Sequence, residues 1–214
     1  MRRLLGFAVV LAVLAALPGA ARLAAEDKKD DKGWVQLFNG KDLTGWKTHP
    51  KDKAKWEVQE GILIGTGPVG HLYSERDDYQ NFRYRVEAMI NDKGNSGQYF
   101  HTQFGPGFPK GYEAQINSTH RDPVKTGSLY GFKDCLIKEK LHKPDEWFTQ
   151  EVIVEGNHVI IKVNGKTTVD TFVKDNADKT GMKYPKGHFA LQQHDPGTVV
   201  KFRKVEVMEL PPSK

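Results

Sequence analysis

The chain has 214 residues, 38% hydrophobic and 28% charged, with 32 Lys and Arg against 27 Asp and Glu for a formal net charge of +5. No Lys/Arg cluster interleaved with aromatic residues stands out, which argues against nucleic acid as a partner. Cys135 is the only cysteine, so no internal disulfide is available and stability must come from a hydrophobic core. With Asp134 and Leu136 beside it, the thiol has no base partner and reads as a buried small residue.

Taken from the start, Arg2 and Arg3 precede an apolar run from Leu4 to Leu17, followed by Pro18 and the small residues Gly19, Ala20 and Ala21. A positive start, an apolar stretch shorter than the ~20 residues of a membrane-spanning helix, and a small-residue exit describe a secretory signal peptide over 1–25. Two cleavage points fit, after Ala21 or after Ala25. The mature protein is expected in the periplasm or secreted, with no membrane span after processing. A cut after Ala25 removes Arg2, Arg3 and Arg22 from the 32 basic residues and leaves 29 against 27 acidic ones, so part of the apparent basicity belongs to the signal segment. Residues 26–33 begin "EDKKDDK" and form a charged, disordered leader. A single domain is expected over 34–210, with a tail at 211–214.

Extended segments dominate that domain. "WVQLF" (34–38), "WEVQEGILIG" (56–65) and "FRYRVEAMI" (82–90) alternate, or nearly alternate, with β-branched and aromatic residues on one face. "SGQYFHTQ" (96–103) and "GYEAQI" (111–116) follow, separated by the Gly- and Pro-rich loop "FGPGFPKG" (104–111) with Phe104 and Phe108. Segment 147–172 holds two hairpins, the first turned by Gly156-Asn157 and the second by Asn164-Gly165, which suits a type I′ turn. "GHFALQQHD" (187–195) and "VVKFRKVEVMEL" (199–210) complete the set. Short helical turns are expected near Asp42-Leu43 or Ala177 to Thr180. Many short strands with Gly-rich turns predict an all-β sandwich or jelly roll of two antiparallel sheets.

Three of these strands carry unusual polar rows. Glu113, Gln115 and Asn117 alternate with Tyr112, Ala114 and Ile116; Gln192 and His194 oppose Phe189 and Leu191; Tyr99, His101 and Gln103 oppose Phe100. If the strands are neighbours, these rows form a floor of carboxylate, carboxamide, imidazole and phenol, a surface that grips sugars by planar hydrogen bonding and ring stacking. A solvated outer face is the competing reading of each row. Glu113 and His194 are the candidate proton-transfer groups. Tyr99, His101, Gln115, Asn117, Gln192, Tyr130 of "TGSLYGF" and Arg203, an arginine in step with Val205 and Val207, are the candidate substrate contacts.

No HExxH or HxH spacing occurs among the eight histidines, so no metal site is expected. The loop "NDKGNSG" (91–97) offers oxygens for a structural calcium but lacks the complete EF-hand pattern. No cofactor follows from the sequence, and "NST" at 117–119 matches the glycosylation triplet.

"LFNGKDLTGW" (37–46), "NSGQYF" (95–100), "GYEAQI" (111–116), "TGSLYG" (126–131), "VNG" (163–165) and "GHFALQQHDP…FRKVEV" (187–207) occur in order across nearly the whole of 34–210. Together they resemble the 3-keto-disaccharide hydrolase domain family. The resemblance implies a concanavalin A-like jelly roll, an exported bacterial protein, and a small-molecule or oligosaccharide substrate in the form of an oxidised disaccharide. The chain departs from the family pattern at Gln98 and His101, and at Gln193 where Asp is usual, departures that bear on substrate choice.

Glucanases of this architecture commonly carry an E-x-D-x-E strand, and here the analogous strand reads Glu113-Ala-Gln115-Ile-Asn117. A retaining hydrolase needs two carboxyls roughly 5–5.5 Å apart, and this strand supplies one. A 3-keto sugar needs less: its ketone acidifies C2–H, so deprotonation, loss of the C1 oxygen and hydration complete hydrolysis. Glu113 or His194 is then the base and the other the proton donor, with Gln115, Gln192 and Arg203 orienting the sugar. The alternatives are a non-catalytic, lectin-like carbohydrate-binding module using the same floor, and a purely structural envelope sandwich.

Overall fold

The computed structural model describes residues 33–212; the expected signal segment and most of the charged leader lie outside the described residues. In chain order the strands are β1 (Val35–Gln36), β2 (Trp46–Thr48), β3 (Lys55–Gln59), β4 (Ile62–Thr66), β5 (Gly70–Ser74), β6 (Phe82–Ile90), β7 (Ser96–Gln103), β8 (Lys110–Ile116), β9 (Phe148–Glu155), β10 (His158–Val163), β11 (Lys166–Phe172), β12 (His188–Gln193) and β13 (Val200–Glu209). A 3-10 turn at Lys133–Cys135 is the one helical element among the described residues, and Cys135 within it is half-buried. None of the described helices is long and apolar enough to cross a membrane.

The strands pair into two antiparallel sheets. The larger runs β11-β10-β9-β6-β13-β4-β3, with β1 on β13; the smaller runs β2-β5-β12-β7-β8. Period-two burial explains the packing. On β6, Phe82, Tyr84, Val86, Ala88 and Ile90 are all fully buried, while the residues between them keep contact with solvent. The inner face of the smaller sheet answers with Leu72, Phe100, Tyr112, Ala114, Ile116, Phe189 and Leu191, which share one core with β6, β9, β10 and β13. Tyr84 stacks on Phe189 at 4.0 Å between centroids, joining the two sheets at the centre. The 147–172 hairpins turn at Gly156-Asn157 and Asn164-Gly165, and Asn164 and Gly165 both take positive φ.

The pairing register shifts at several points, and two of these shifts decide where sequence-predicted site residues lie. The β7–β8 register shifts between Phe100 and Gln103, and His101 adopts φ 51. The β13–β6 register shifts between Phe202 and Lys204, which throws Arg203 out of step with Val205 and Val207. Gly187 tolerates the first bulge, because a Cβ there would lie 2.5 Å from the Thr102 carbonyl oxygen.

Candidate active site

The outer face of the smaller sheet places the polar rows side by side. Tyr99 on β7 lies opposite Glu113 on β8 and Ala190 on β12; Ala190 lies opposite Tyr73 on β5, and Gln192 opposite His71. Tyr73, Tyr99 and Ala190 form a second, small apolar cluster on this side, away from the main core. Residues 127–130 extend the sheet past β8: Gln115 N–H donates to the Ser128 carbonyl at 3.0 Å and Tyr130 N–H to the Glu113 carbonyl at 2.9 Å. That pairing brings Tyr130 beside Glu113.

These elements enclose a cavity of about 250 Å³ lined by Asn95, Tyr99, Phe108, Glu113, Gln115, Asp122, Tyr130, Gln192 and His194. A hydrogen-bonded chain forms its floor. The Tyr99 hydroxyl donates to Glu113 Oε2 at 2.8 Å and accepts from Gln192 Nε2 at 2.9 Å, and the same amide lies 3.2 Å from His71 Nε2. Burial pushes the Glu113 carboxyl up from 4.5 to about 8; the Tyr99 bond opposes this and the nearby Asp122 carboxylate adds to it. Glu113 is therefore mostly protonated at neutral pH. Burial also drives the His71 imidazole down to about 4, so it is neutral there. Its ring meets Tyr99 edge-on at 5.2 Å and fixes the phenol from behind.

His194 lines the same cavity, and its Nδ1–H donates to Asp195 Oδ2 at 3.0 Å. A carboxylate can only accept, so this bond puts a proton on Nδ1, and in the neutral imidazole Nε2 is then the acceptor. Phe108 leans on the His194 ring at 5.8 Å. Its loop is pinned: Asp52 takes the backbone N–H of His71 at 3.0 Å and of Gly107 at 3.1 Å, and the Tyr73 hydroxyl donates to the Gly105 carbonyl at 3.0 Å. His120, His194 and Asp195 hold ligand atoms within 4.8 Å of one another, a set that could hold a divalent ion. As arranged, Asp195 Oδ2 accepts the His194 Nδ1–H and His120 Nδ1 accepts the Asp122 N–H at 3.2 Å, bonds that do not use Nε2 of either ring.

Of the residues singled out from sequence, Tyr99, Glu113, Gln115, Tyr130, Gln192 and His194 line the cavity and three do not. His101 is turned away by its bulge: the ring packs edge-on to Phe82 at 5.4 Å and Nε2–H donates to the Gln80 carbonyl at 2.9 Å. Arg203 belongs to the other sheet, where the β13 bulge points it outward to pair with Glu87 and lie 4.5 Å over the Trp147 ring. Asn117 is fully buried below the row it was assigned to. Its Nδ2 donates to the carbonyls of Asp122 at 3.1 Å and Val124 at 2.8 Å, and its Oδ1 accepts the His120 N–H at 3.0 Å. With its amide so enclosed, the Asn-Ser-Thr triplet offers no exposed attachment point. In the loop 91–97, where the sequence offers oxygens for a structural calcium, Asn91 Oδ1 accepts the Val199 N–H and Asp92 Oδ1 the Thr119 hydroxyl, while Asn95 Oδ1 has no partner in the protein.

Sequence reasoning did not single out Asp122, Asn95, His71 or Asp195. Asp195 directly follows His194, and that adjacency was the available signal. The others arrive through tertiary structure. Gln98 and Gln193, two of the departures from the family pattern, serve the scaffold: Gln98 Nε2 donates to the Tyr84 carbonyl, and Gln193 Nε2 holds the carbonyls of Gly67, Asp195 and Thr198.

A two-sheet antiparallel jelly roll with a polar, aromatic-edged cavity on its smaller sheet defines a protein of the concanavalin- and galectin-like fold class. The chain belongs to the 3-keto-alpha-glucoside-1,2-lyase-like domain family, whose model matches residues 33–208. A 3-keto-disaccharide hydrolase of Bacteroides thetaiotaomicron is 27% identical over 84 residues, 35% of this chain and 29% of that protein, so the match spans under a third of the relative's length. The crystal structure of a Parabacteroides distasonis protein, provisionally assigned as a glycosyl hydrolase, is similar at a TM-score of 0.69 and 25% identity, covering 84% of this chain and 95% of that one. A carbohydrate binding module from Bacillus subtilis shares the fold at a TM-score of 0.55 and 13% identity, over 77% of this chain and 96% of that one.

Proposed function

We propose that this protein cleaves the glycosidic bond of 3-keto glycosides by elimination across C1–C2 followed by hydration. The observation that carries the reading is the presence, in one sugar-sized cavity, of a protonated carboxyl and an imidazole whose Nδ1 is held by a carboxylate. His194 Nε2 takes the proton from C2, made acidic by the neighbouring ketone, and the electron pair moves into an enolate. As the carbonyl reforms, the C1–O bond breaks and Glu113 gives its proton to the departing oxygen. Water then adds to C1 of the resulting enone, giving a proton back to Glu113, while His194 returns its proton to C2. Both groups end as they began, and no carboxylate nucleophile is needed.

Tyr99 and Gln192 hold Glu113 in place, and Gln115, Tyr130 and Asn95 offer polar contacts to ring hydroxyls. The cavity is smaller than the ~300–1,000 Å³ of sites that enclose drug-sized ligands, so it holds one ring while the leaving group extends past Phe108. The family and the curated relative's activity support this substrate class. The reading includes export of the mature protein, which rests on the sequence of residues 1–25 and is checked by locating the protein in cell fractions and reading its N-terminus.

The test is a paired assay. The purified protein is incubated with a 3-keto disaccharide and with its unoxidised parent, and free sugar is followed. Cleavage of the keto form alone is the expected result. Binding of sugar with cleavage of neither form, across several linkages, replaces the hydrolase reading with a carbohydrate-binding module.

A further inference from the structure

Charge and hydrogen-bond polarity in the cavity are lopsided. Two of its nine lining side chains, Glu113 and Asp122, are carboxyls, and none is Lys or Arg. Two further oxygens among them have no hydrogen-bond partner in the protein: Gln192 Oε1 and Asn95 Oδ1, on residues that are 1% and 2% exposed. A buried acceptor left unpaired costs about 1–3 kcal/mol, so both are poised for donors brought by a ligand. We propose that the Asp122 carboxylate makes this cavity selective for uncharged, hydroxyl-rich sugars and turns away uronic acids and sugars carrying phosphate or sulfate. This inference rests on the cavity being the sugar site proposed above.

Asp122 is held for that role. Its Oδ1 accepts the Val124 N–H at 2.8 Å and its Oδ2 the Tyr130 hydroxyl at 3.3 Å. Its backbone carbonyl is gripped by Asn117 Nδ2 and by Lys125 Nζ, the latter at 2.6 Å. Lys125 interacts electrostatically with Asp122, but its ammonium hydrogens go to the carbonyls of His120 and Asp122 and to Asn117 Oδ1 rather than to the carboxylate, and it does not line the cavity. Hydroxyl groups entering here can donate to Asp122, Gln192 and Asn95. An anionic substituent brings only acceptors and places a like charge beside Asp122, an arrangement that binding sites use to reject wrong partners.

The experiment compares two probes that differ in one group, methyl glucopyranoside and methyl glucopyranosiduronate, by calorimetry or ligand-observed NMR on the wild type and on Asp122→Asn. Wild type is expected to bind the uronate weaker by about tenfold or more, and the ratio is expected to shrink toward one in Asp122→Asn, which preserves side-chain shape. The ratio is the readout because a general loss of fold or affinity lowers both probes together. Equal affinities in wild type, an unchanged ratio in the variant, or no binding of the neutral sugar overturns the proposal. Turnover of a 3-keto disaccharide on the same preparations separates the two ideas. Discrimination without turnover leaves charge selection standing and removes the cleavage reaction. Turnover without discrimination does the reverse.

Discussion

The hydroxyl of Tyr99 on β7 lies 2.8 Å from Glu113 Oε2 on β8, directly across the strand pair, and it is the hydrogen bond that holds this half-buried carboxyl in the cavity. Glu113 nevertheless titrates at about 8, because burial outweighs the bond. As proton donor it is spent when it ionises, so kcat/KM for a 3-keto substrate is expected to fall as pH rises through about 8. Glu113→Gln should lose about 10²–10⁴-fold in rate. Stability carries the same signature. The folded chain keeps a proton that the unfolded chain releases near 4.5, so the Glu113 contribution is full below that pH and lost as pH climbs through about 8. The Tm of Glu113→Gln should therefore gain on wild type between pH 4 and pH 9; a difference that stays flat would remove the assignment.

Tyr99→Phe tests the opposing half of that balance. The phenol bond lowers the Glu113 pKa, whereas burial and the Asp122 charge raise it, so its loss moves the alkaline limb of the rate profile upward. It also strips Gln192 Nε2 of its 2.9 Å acceptor, at a cost of about 1–3 kcal/mol in unfolding free energy. An alkaline limb that moves down, or stays put, would show that Tyr99 does not set the protonation of Glu113.

Much of this site could be read from residue parity. Glu113, Gln115, Tyr99 and Gln192 alternate with core residues, and an unbroken strand obliges them to share a face; adjacency of β12, β7 and β8 then did the rest. Parity failed wherever a strand was not regular. His101 and Arg203 each sit at a bulge, and one extra residue swaps the faces, a feature with no mark in the local sequence. Strand β5 escaped notice for another reason: all five of its residues are buried, since the 104–109 loop covers the outer face, so no alternation is written into it. Asp122 is reached through a loop whose path is fixed by buried hydrogen bonds to Asn117, information carried by tertiary contacts rather than by periodicity.

Gly97 lies opposite Gln115 and under the Glu113 carboxyl. A Cβ at this position would sit 2.7 Å from Tyr99 Cε2 and 2.9 Å from Glu113 Cδ, closer than side chains allow. Gly97→Ala is expected to displace the Tyr99–Glu113 pair and abolish most turnover while the sheet persists. The check is circular dichroism alongside the keto-substrate assay. Full activity in the variant would mean that the carboxyl has freedom the geometry denies it.

Arg203→Ala separates the face proposed as a site from the face that is not. The guanidinium pairs with Glu87 on the larger sheet and is 45% exposed, so its loss should cost about 0–1 kcal/mol and leave turnover unaltered. A large fall in kcat/KM at unchanged Tm would place substrate on the wrong sheet and overturn the site described here.

Asn117 gives the sharpest contrast with its expected role. It touches no cavity surface, yet its amide ties together His120, Asp122, Val124 and Lys125. Asn117→Ala removes all four bonds from a fully buried position, leaves the Val124 carbonyl without this donor and leaves the Asp122 carbonyl to Lys125 alone, so a loss of about 1–3 kcal/mol is expected. The functional consequence follows from where the loop points. Asp122 loses its fixed position while Glu113, on the neighbouring strand, keeps its Tyr99 bond. Turnover of a neutral keto sugar should then fall less than the preference for neutral over anionic sugars. Urea unfolding and the two-probe binding ratio, measured on one preparation, decide this. A variant with weakened stability and an intact ratio would mean that the loop holds Asp122 without help from Asn117.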